Sequence, residues 1–219
     1  MVFLGDSAGG NLAAAVSLKL GKDGDPRFKL TSQTLIYPAL QALDLDLPAY
    51  RTYNDDGGPF FMAKPLMMKF WLWYGEGNLN YLSEFAENKQ LIPDIKQYIN
   101  RTLLPKKYLS KQDQSPSLTK GNKQLFDKVA KWLLDPYFAP LMASDEELKN
   151  LPPTHVITAE YDPLRDDGFL FASRLKALNK TVVHSHYDGR SVIRVPISAS
   201  VSKSVGRVAT DNINFYMLA

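Results

Sequence analysis

Residues 2–11 read VFLGDSAGGN, and the order of apolar and small residues in this stretch decides the fold. Val2, Phe3 and Leu4 form a short apolar run of strand character, Gly5-Asp6-Ser7-Ala8-Gly9 fits G-x-S-x-G, and Gly10-Asn11-Leu12-Ala13-Ala14-Ala15-Val16 continues as an Ala-rich helix. A strand that turns sharply at a serine and resumes at once as a helix pushes the hydroxyl outward. A side chain at Gly5 or Gly9 would collide with the neighbouring strand or with the helix backbone in so tight a turn.

A G-D-S-G-G loop also occurs in chymotrypsin-like proteases, but there the serine sits between β-strands. The strong helix former that follows Ser7 argues instead for a sheet layered with helices. The rest of the composition agrees. At 219 residues and 45% hydrophobic, the chain is long enough for one domain with a substantial core. Its net charge of +3 is spread over many residues of both signs with no basic tract, so no nucleic-acid partner is expected. Leu103 to Tyr108, the Lys-rich exception, reads as a solvated turn. The absence of cysteine excludes a thiolate nucleophile, a disulfide framework and a thiolate metal site. The longest apolar runs, such as Phe70 to Tyr74, fall far short of the ~20 residues that span a bilayer.

Outward from the opening stretch, Gly21 to Pro26 is a turn-rich stop, and Gln33 to Pro38 is a second strand closed by proline. Leu43 to Pro59 has the composition of a long surface loop. From about residue 60 to 150 the character changes to Met-rich and aromatic helical patterns, including Pro65 to Leu72 and Leu125 to Leu133, separated by polar segments. These predict helices inserted over one end of the sheet as a cap, whose aromatic faces could line an apolar pocket. The strand and helix alternation then returns, with a strand over Thr154 to Ala159, a helix from Gly168 to Leu178 and a strand over Thr181 to Tyr187. Strands separated by helices predict a mainly parallel sheet.

The third strand runs into Glu160-Tyr161-Asp162-Pro163-Leu164-Arg165-Asp166-Asp167-Gly168. Functional groups of a parallel sheet gather beyond the carboxyl ends of its strands, where Asp162 falls. Asp166 and Asp167 suit the amino-terminal turn of a helix. Together, G-D-S-A-G-G-N, the helical insertion and Y-D-P-L-R-D-D-G resemble the hormone-sensitive-lipase-type α/β-hydrolases. Within them the sequence is similar to the arylacetamide deacetylase and neutral cholesterol ester hydrolase group, with further support from Leu35-Ile36-Tyr37-Pro38-Ala39-Leu40-Gln41, Asn100-Arg101-Thr102-Leu103-Leu104-Pro105 and Ala139-Pro140-Leu141. The resemblance runs from Met1 to about Gly189.

It implies a partial α/β-hydrolase domain over 1–219, the carboxy-terminal part of that fold. It also implies Ser7 as nucleophile, Asp162 as the acid of a Ser-Asp-His triad and the Ala8 amide as an oxyanion-hole donor, with Glu160, Arg165, Asp166 and Asp167 as scaffold. The expected substrate is a small-molecule ester or lipid with an apolar acyl group. No metal or organic cofactor is required by that chemistry. A membrane anchor is expected only in a longer form, and the implied location is the lumenal side of the endoplasmic reticulum. Asn100 of Asn100-Arg101-Thr102 is then a glycosylation acceptor by pattern.

Two elements of the pattern are missing from the 219 residues. The H-G-G oxyanion motif that precedes the serine in the group is absent. The segment that should carry the triad histidine reads His186-Tyr187-Asp188-Gly189-Arg190-Ser191-Val192, with no histidine beyond His186. His184 and His186 share a strand face, which also suits a metal pair, but a third nearby ligand is lacking. The expectation is a fragment of a longer hydrolase with impaired turnover, in which one side of Met1 to Leu4 is an open apolar edge. A non-catalytic binding remnant of the fold is the alternative.

Overall fold

The computed structural model describes residues 1–54, 62–114, 121–191 and 215–218. In chain order, strand β1 (Val2–Asp6) leads into helix α1 (Ala8–Asp23) and strand β2 (Ser32–Ile36) follows. α1 keeps Ala13, Ala14, Ala15 and Leu18 on its buried side and stops at Gly24, whose φ of 63° is the left-handed geometry that glycine adopts without strain. β2 begins one residue earlier than the proline-bounded strand expected and ends two residues earlier, because Tyr37 turns out of it at a φ of 35°.

A helical layer then intervenes, comprising α2 (Pro48–Thr52), α3 (Lys64–Glu76), α4 (Leu82–Ala86), α5 (Lys111–Gln114), α6 (Lys123–Leu133) and α7 (Asp145–Lys149). α7 starts with a capping box in which Ser144 and Glu147 satisfy each other's backbone N–H. Strand β3 (Thr154–Tyr161), helix α8 (Arg165–Ala177), strand β4 (Val182–Ser191) and strand β5 (Phe215–Leu218) complete the order. Gly168 lies inside α8 rather than at its start. A Cβ there would come within 2.3 Å of the Thr158 side chain, so the helix can press onto β3 only with glycine at that contact.

The sheet order is β4-β3-β2-β1-β5, and every pair is parallel. The carboxyl ends of β1, β2 and β3 therefore emerge along one edge. The open edge expected beside β1 is corrected by the structure: Val2–Gly5 pair on one side with Ser32–Leu35 and on the other with Phe215–Leu218. The backbone groups of β1 are thus laddered on both sides.

One apolar core joins Phe3, Leu35 and Val156 of the sheet to Leu18 of α1 and Phe171 of α8. The same cluster contains Met67, Trp71 and Leu72 of α3 and Val129 and Leu133 of α6, so the helical layer shares the core of the sheet. Full burial of each large apolar side chain stabilises by about 1.5–3 kcal/mol. A small second cluster, Ile36, Ile157 and Ala159, lies on the other sheet face, as the period of two requires.

The surface loop read from Leu43 onward is a second correction, as far as Asn54; Asp55 to Pro59 lie outside the described residues. Leu43, Leu45, Leu47, Ala49 and Tyr50 are fully buried, and α2 lies within the segment. Its buried aspartate is paired within the protein rather than hydrated. Asp44, 2% exposed, takes a fork of bonds from Arg101, with Nη2 at 2.7 Å and Nε at 2.9 Å from Oδ2, and a further bond from Asn88. Arg101 and Arg51 converge on buried Asp113 at 3.1 and 2.6 Å. Among the described residues no helix is long and apolar enough to cross a membrane.

Candidate active site

Ser7 stands between β1 and α1 with φ 51° and ψ −116°, a region that non-glycine residues rarely occupy. The turn is held by backbone bonds on both sides: Ser7 N–H donates to the Ile36 carbonyl at 2.9 Å, and Ser7 C=O accepts from Asn11 at 3.1 Å and Ala39 at 3.3 Å. A serine at a helix N-cap ordinarily turns its oxygen back onto the first-turn amides, but Ser7 makes no side-chain cap bond. The strain keeps the hydroxyl out of the helix. Glycine at position 5 is forced by contact, since a Cβ there would lie 2.1 Å from the Gly9 carbonyl oxygen. A Cβ at Gly10 would meet Pro38 at 2.9 Å.

Ser7, Ala8, Asn11 and Leu12 line a cavity of about 340 Å³. Ala39 and four residues of α3, Met67, Phe70, Trp71 and Tyr74, form the rest of its wall. The volume is at the small end of the range for small-molecule sites, and the lining is almost wholly apolar. The aromatic run of α3 thus divides. Trp71 is a buried core residue that also faces the cavity, whereas Phe70 and Tyr74 are 44% and 56% exposed. Asn11 is the wall's polar tie: its amide donates to the Ala39 and Phe138 carbonyls, both at 2.8 Å, fastening α1 to the loop after β2 and to the segment after α6. The motif reading passed over Asn11, although an asparagine on the buried side of an Ala-rich helix was a signal, since a buried amide needs partners.

Ala8 begins α1, so its N–H is among the first-turn donors that a helix leaves without an i−4 carbonyl. The positive end of the helix dipole lies at the same place.

Asp162 follows β3, at the same end of the sheet as Ser7 and two strands away, a lateral offset of about 10 Å across β2, and lies five residues beyond Ile157, which is level with Asp6. It is 1% exposed. Oδ1 accepts the Leu164 N–H at 2.9 Å, while Oδ2 is buried with no hydrogen-bond partner among the described residues. Burial pushes this carboxyl up to about 7, against the opposing pull of the Leu164 N–H and the Arg165 charge. Between the unfolded value of about 3.9 and 7, the folded state holds the proton more tightly than the unfolded chain does. Stability from this residue is therefore complete below about pH 4 and is lost as pH rises to 7. Asp162→Asn keeps the acceptor for Leu164 and removes that loss. The variant should match the parent at pH 4 and exceed it by about 4 kcal/mol at pH 8 in urea unfolding. Equal stability at both pH values would show that the carboxylate is not desolvated.

Asp166 and Asp167 lie in the first turn of α8, as their local pattern suggested, but their oxygens serve a distant loop. Asp166 accepts the Ala49 N–H at 2.7 Å, and Asp167 accepts the Leu40 N–H at 3.0 Å and the Gln41 amide at 2.9 Å. Burial raises the Asp167 carboxyl to about 8. Arg165 stacks its guanidinium 3.6 Å over the Tyr108 ring, and the Glu160 carboxylate accepts the Gly189 N–H.

The three histidines are engaged away from Ser7. The Thr158 hydroxyl bonds His184 Nε2 and His186 Nδ1, both at 2.9 Å. His186 Nε2 bonds the Tyr108 hydroxyl at 2.8 Å, and His155 Nε2 bonds Ser185 at 2.9 Å. Burial pushes His184 down to about 4. His184 and His186 are on β4, three strand spacings from β1 or about 14 Å across the sheet, and His155 is on β3, two spacings away. Among the described residues no group of three or more His, Cys, Asp or Glu could hold a metal ion. Asn100 is exposed, and its side-chain oxygen accepts from the Thr102 N–H at 3.1 Å and hydroxyl at 2.7 Å.

The family model described as the alpha/beta hydrolase fold matches residues 1–88 and 102–191. The chain is 41% identical over 190 residues to arylacetamide deacetylase of Bos taurus and 35% identical over 190 residues to neutral cholesterol ester hydrolase 1 of Bos taurus. Each match covers 84% of this chain and 46% of the relative, so the chain spans about half the length of these curated relatives. Among solved structures, a thermostable esterase from Pseudomonas putida ECU1011 is 25% identical with a TM-score of 0.53, covering 94% of this chain and 48% of that one. The resemblance read from the serine and aspartate motifs is borne out by these matches. Matched over most of its length and folded as that match requires, the chain belongs to the α/β-hydrolase fold family.

Proposed function

We propose that the chain carries the nucleophile, acyl pocket and triad acid of a serine carboxylic ester hydrolase acting on apolar acyl esters, of the deacetylase or cholesteryl-ester type. The observation that carries this reading is Ser7, held at φ 51° on the rim of a helix N-terminus and opening onto an apolar cavity of about 340 Å³. In the proposed chemistry, Ser7 Oγ attacks the ester carbonyl carbon, its proton passes to a base, and the Ala8 N–H donates to the developing oxyanion. Asp162 orients that base and stabilises its protonated form. None of the three histidines of the chain takes this part, which leaves turnover by the 219 residues impaired.

A fluorophosphonate series tests the reading, with labelled Ser7 quantified by peptide mass spectrometry at alkaline pH. The labelling rate should rise about fourfold per added methylene until the pocket is filled, because each buried methylene contributes about 0.8 kcal/mol. Equal rates for the shortest and a medium-length alkyl chain would remove the apolar-ester assignment. The engagement of all three histidines by Thr158, Tyr108 and Ser185 favours a second reading, a non-catalytic binding remnant. Under that reading, alkyl chains bind the cavity but Ser7 is not labelled at any length.

A further inference from the structure

We propose that Phe138, which is not itself on the wall of the Ser7 cavity, fixes the length of acyl chain that the cavity accepts. The inference rests on the apolar-ester reading above and deepens it by naming the residue that backs the cavity wall.

Phe138 follows α6 and touches three wall residues, drawn from both helices that build the cavity. On the α1 side, its carbonyl accepts the Asn11 amide at 2.8 Å. On the α3 side, its ring stacks on Tyr74 at 4.7 Å, with 17° between the planes, and lies tilted against Trp71 at 5.3 Å. Asn11, Trp71 and Tyr74 all line the cavity. Phe138 is buried and therefore bridges the two helical walls from behind.

The ring is braced in its turn. Trp132 of α6 packs on it at 4.8 Å, and Trp132 Nε1 donates to Glu76 Oε1 at 2.6 Å. The same indole lies so close over α3 that a Cβ at Gly75 would fall 2.6 Å from it, and it stacks on buried Phe85 at 5.9 Å. An entering chain thus meets a wall held by a continuous aromatic stack, and interiors packed in this way yield little to an added methylene. The choice of residue matters. Tyr74 is more than half exposed, so shortening it would open the cavity to water. Shortening Phe138 instead frees buried apolar volume behind Trp71 and Tyr74, and such sites collapse only partly.

The experiment compares Phe138→Leu and Phe138→Ala with the parent by two readouts. One is the alkaline labelling rate of Ser7 across the alkyl fluorophosphonate series; the other is calorimetric binding of straight-chain alcohols, which needs no chemistry at Ser7. In the parent both should stop improving at the length that fills the cavity. The rise should continue for about one more methylene in Phe138→Leu and about two in Phe138→Ala, so the longest probe gains about fourfold and about sixteenfold. The shortest probe should react at the parental rate in both, which a loosened Ser7 turn would not allow. Phe171→Leu, a truncation in the same core on α8, should lower the unfolding midpoint and leave the length profile as it is in the parent.

A profile unchanged in both Phe138 variants overturns the inference. So does an equal lengthening in Phe171→Leu, or a loss of rate with the shortest probe. If Phe138→Ala fails to fold, the leucine variant carries the same test. Should Ser7 go unlabelled in every protein, the ester reading fails while the alcohols still decide: tighter binding of the longer alcohols by the Phe138 variants upholds the role of Phe138, and equal or absent binding removes it.

Discussion

Gly5→Ala is expected to destabilise the fold by more than about 3 kcal/mol, at the severe end of overpacking substitutions. The new methyl would lie 2.1 Å from the Gly9 carbonyl oxygen, 2.4 Å from its carbon and 2.8 Å from the Gly10 nitrogen. All three are backbone atoms of the first turn of α1, so no side chain can swing aside. To accept the methyl, α1 would have to move off β1, and Gly10 would leave its contact with Pro38. Because Ser7 is set by the same strand and helix, any protein that still folds should also lose alkaline labelling of the serine. Equilibrium urea unfolding of the variant checks the first effect and peptide mass spectrometry the second; a midpoint within error of the parent's would show that the turn is looser than its geometry.

Arg101→Ala is expected to cost about 3–5 kcal/mol, the range for breaking a buried ion pair by removing one partner. The Arg101 side chain is 14% exposed and forks onto Asp44 while its third nitrogen reaches Asp113. Its removal leaves the Asp44 carboxylate facing only the Asn88 amide and the Asp46 N–H. Asp113 keeps Arg51, so the larger injury is at Asp44. For a chain of this size the melting temperature should fall on the order of 10 °C. Arg101→Lys should recover only part of the loss, since an ammonium carries the charge without the planar fork. Thermal unfolding of the parent and both variants decides the point; an alanine variant that melts with the parent would mean that water already screens the pair.

How much of this was legible in the sequence depended on how far apart the interacting residues lie. The serine turn could be read because its causes are local: Gly5 and Gly9 make their contact four residues apart. Asp162 could be placed because a parallel sheet sends the residue after each strand to one edge, whatever the intervening chain does. The segment after Leu43 was misread as surface because its aspartates look hydrated until Arg101, 57 positions on, is brought beside Asp44. Asp166 and Asp167 suit a helix start by local rules, yet they bond amides 117 to 127 positions earlier. Asn11 likewise gains its meaning from Phe138, 127 positions away. The sheet partner of β1 at Phe215–Leu218 carried no motif, since a short apolar run fits any parallel neighbour.

The single core shared by the sheet and the helices of the 64–133 region bears on how a ligand enters. Met67, Trp71 and Leu72 of α3 and Val129 and Leu133 of α6 are packed with Phe3 and Leu35. Hinged opening of that layer would strip apolar surface from the centre of the protein. Phe70 and Tyr74, by contrast, stand half in solvent at the cavity wall, and exposed side chains change rotamer in picoseconds to nanoseconds, against microseconds to milliseconds for hinge motion. Among the described residues, the part of the cavity wall that can yield while the shared core stays packed is therefore the exposed Phe70 ring, since the Tyr74 ring is stacked on Phe138 at 4.7 Å.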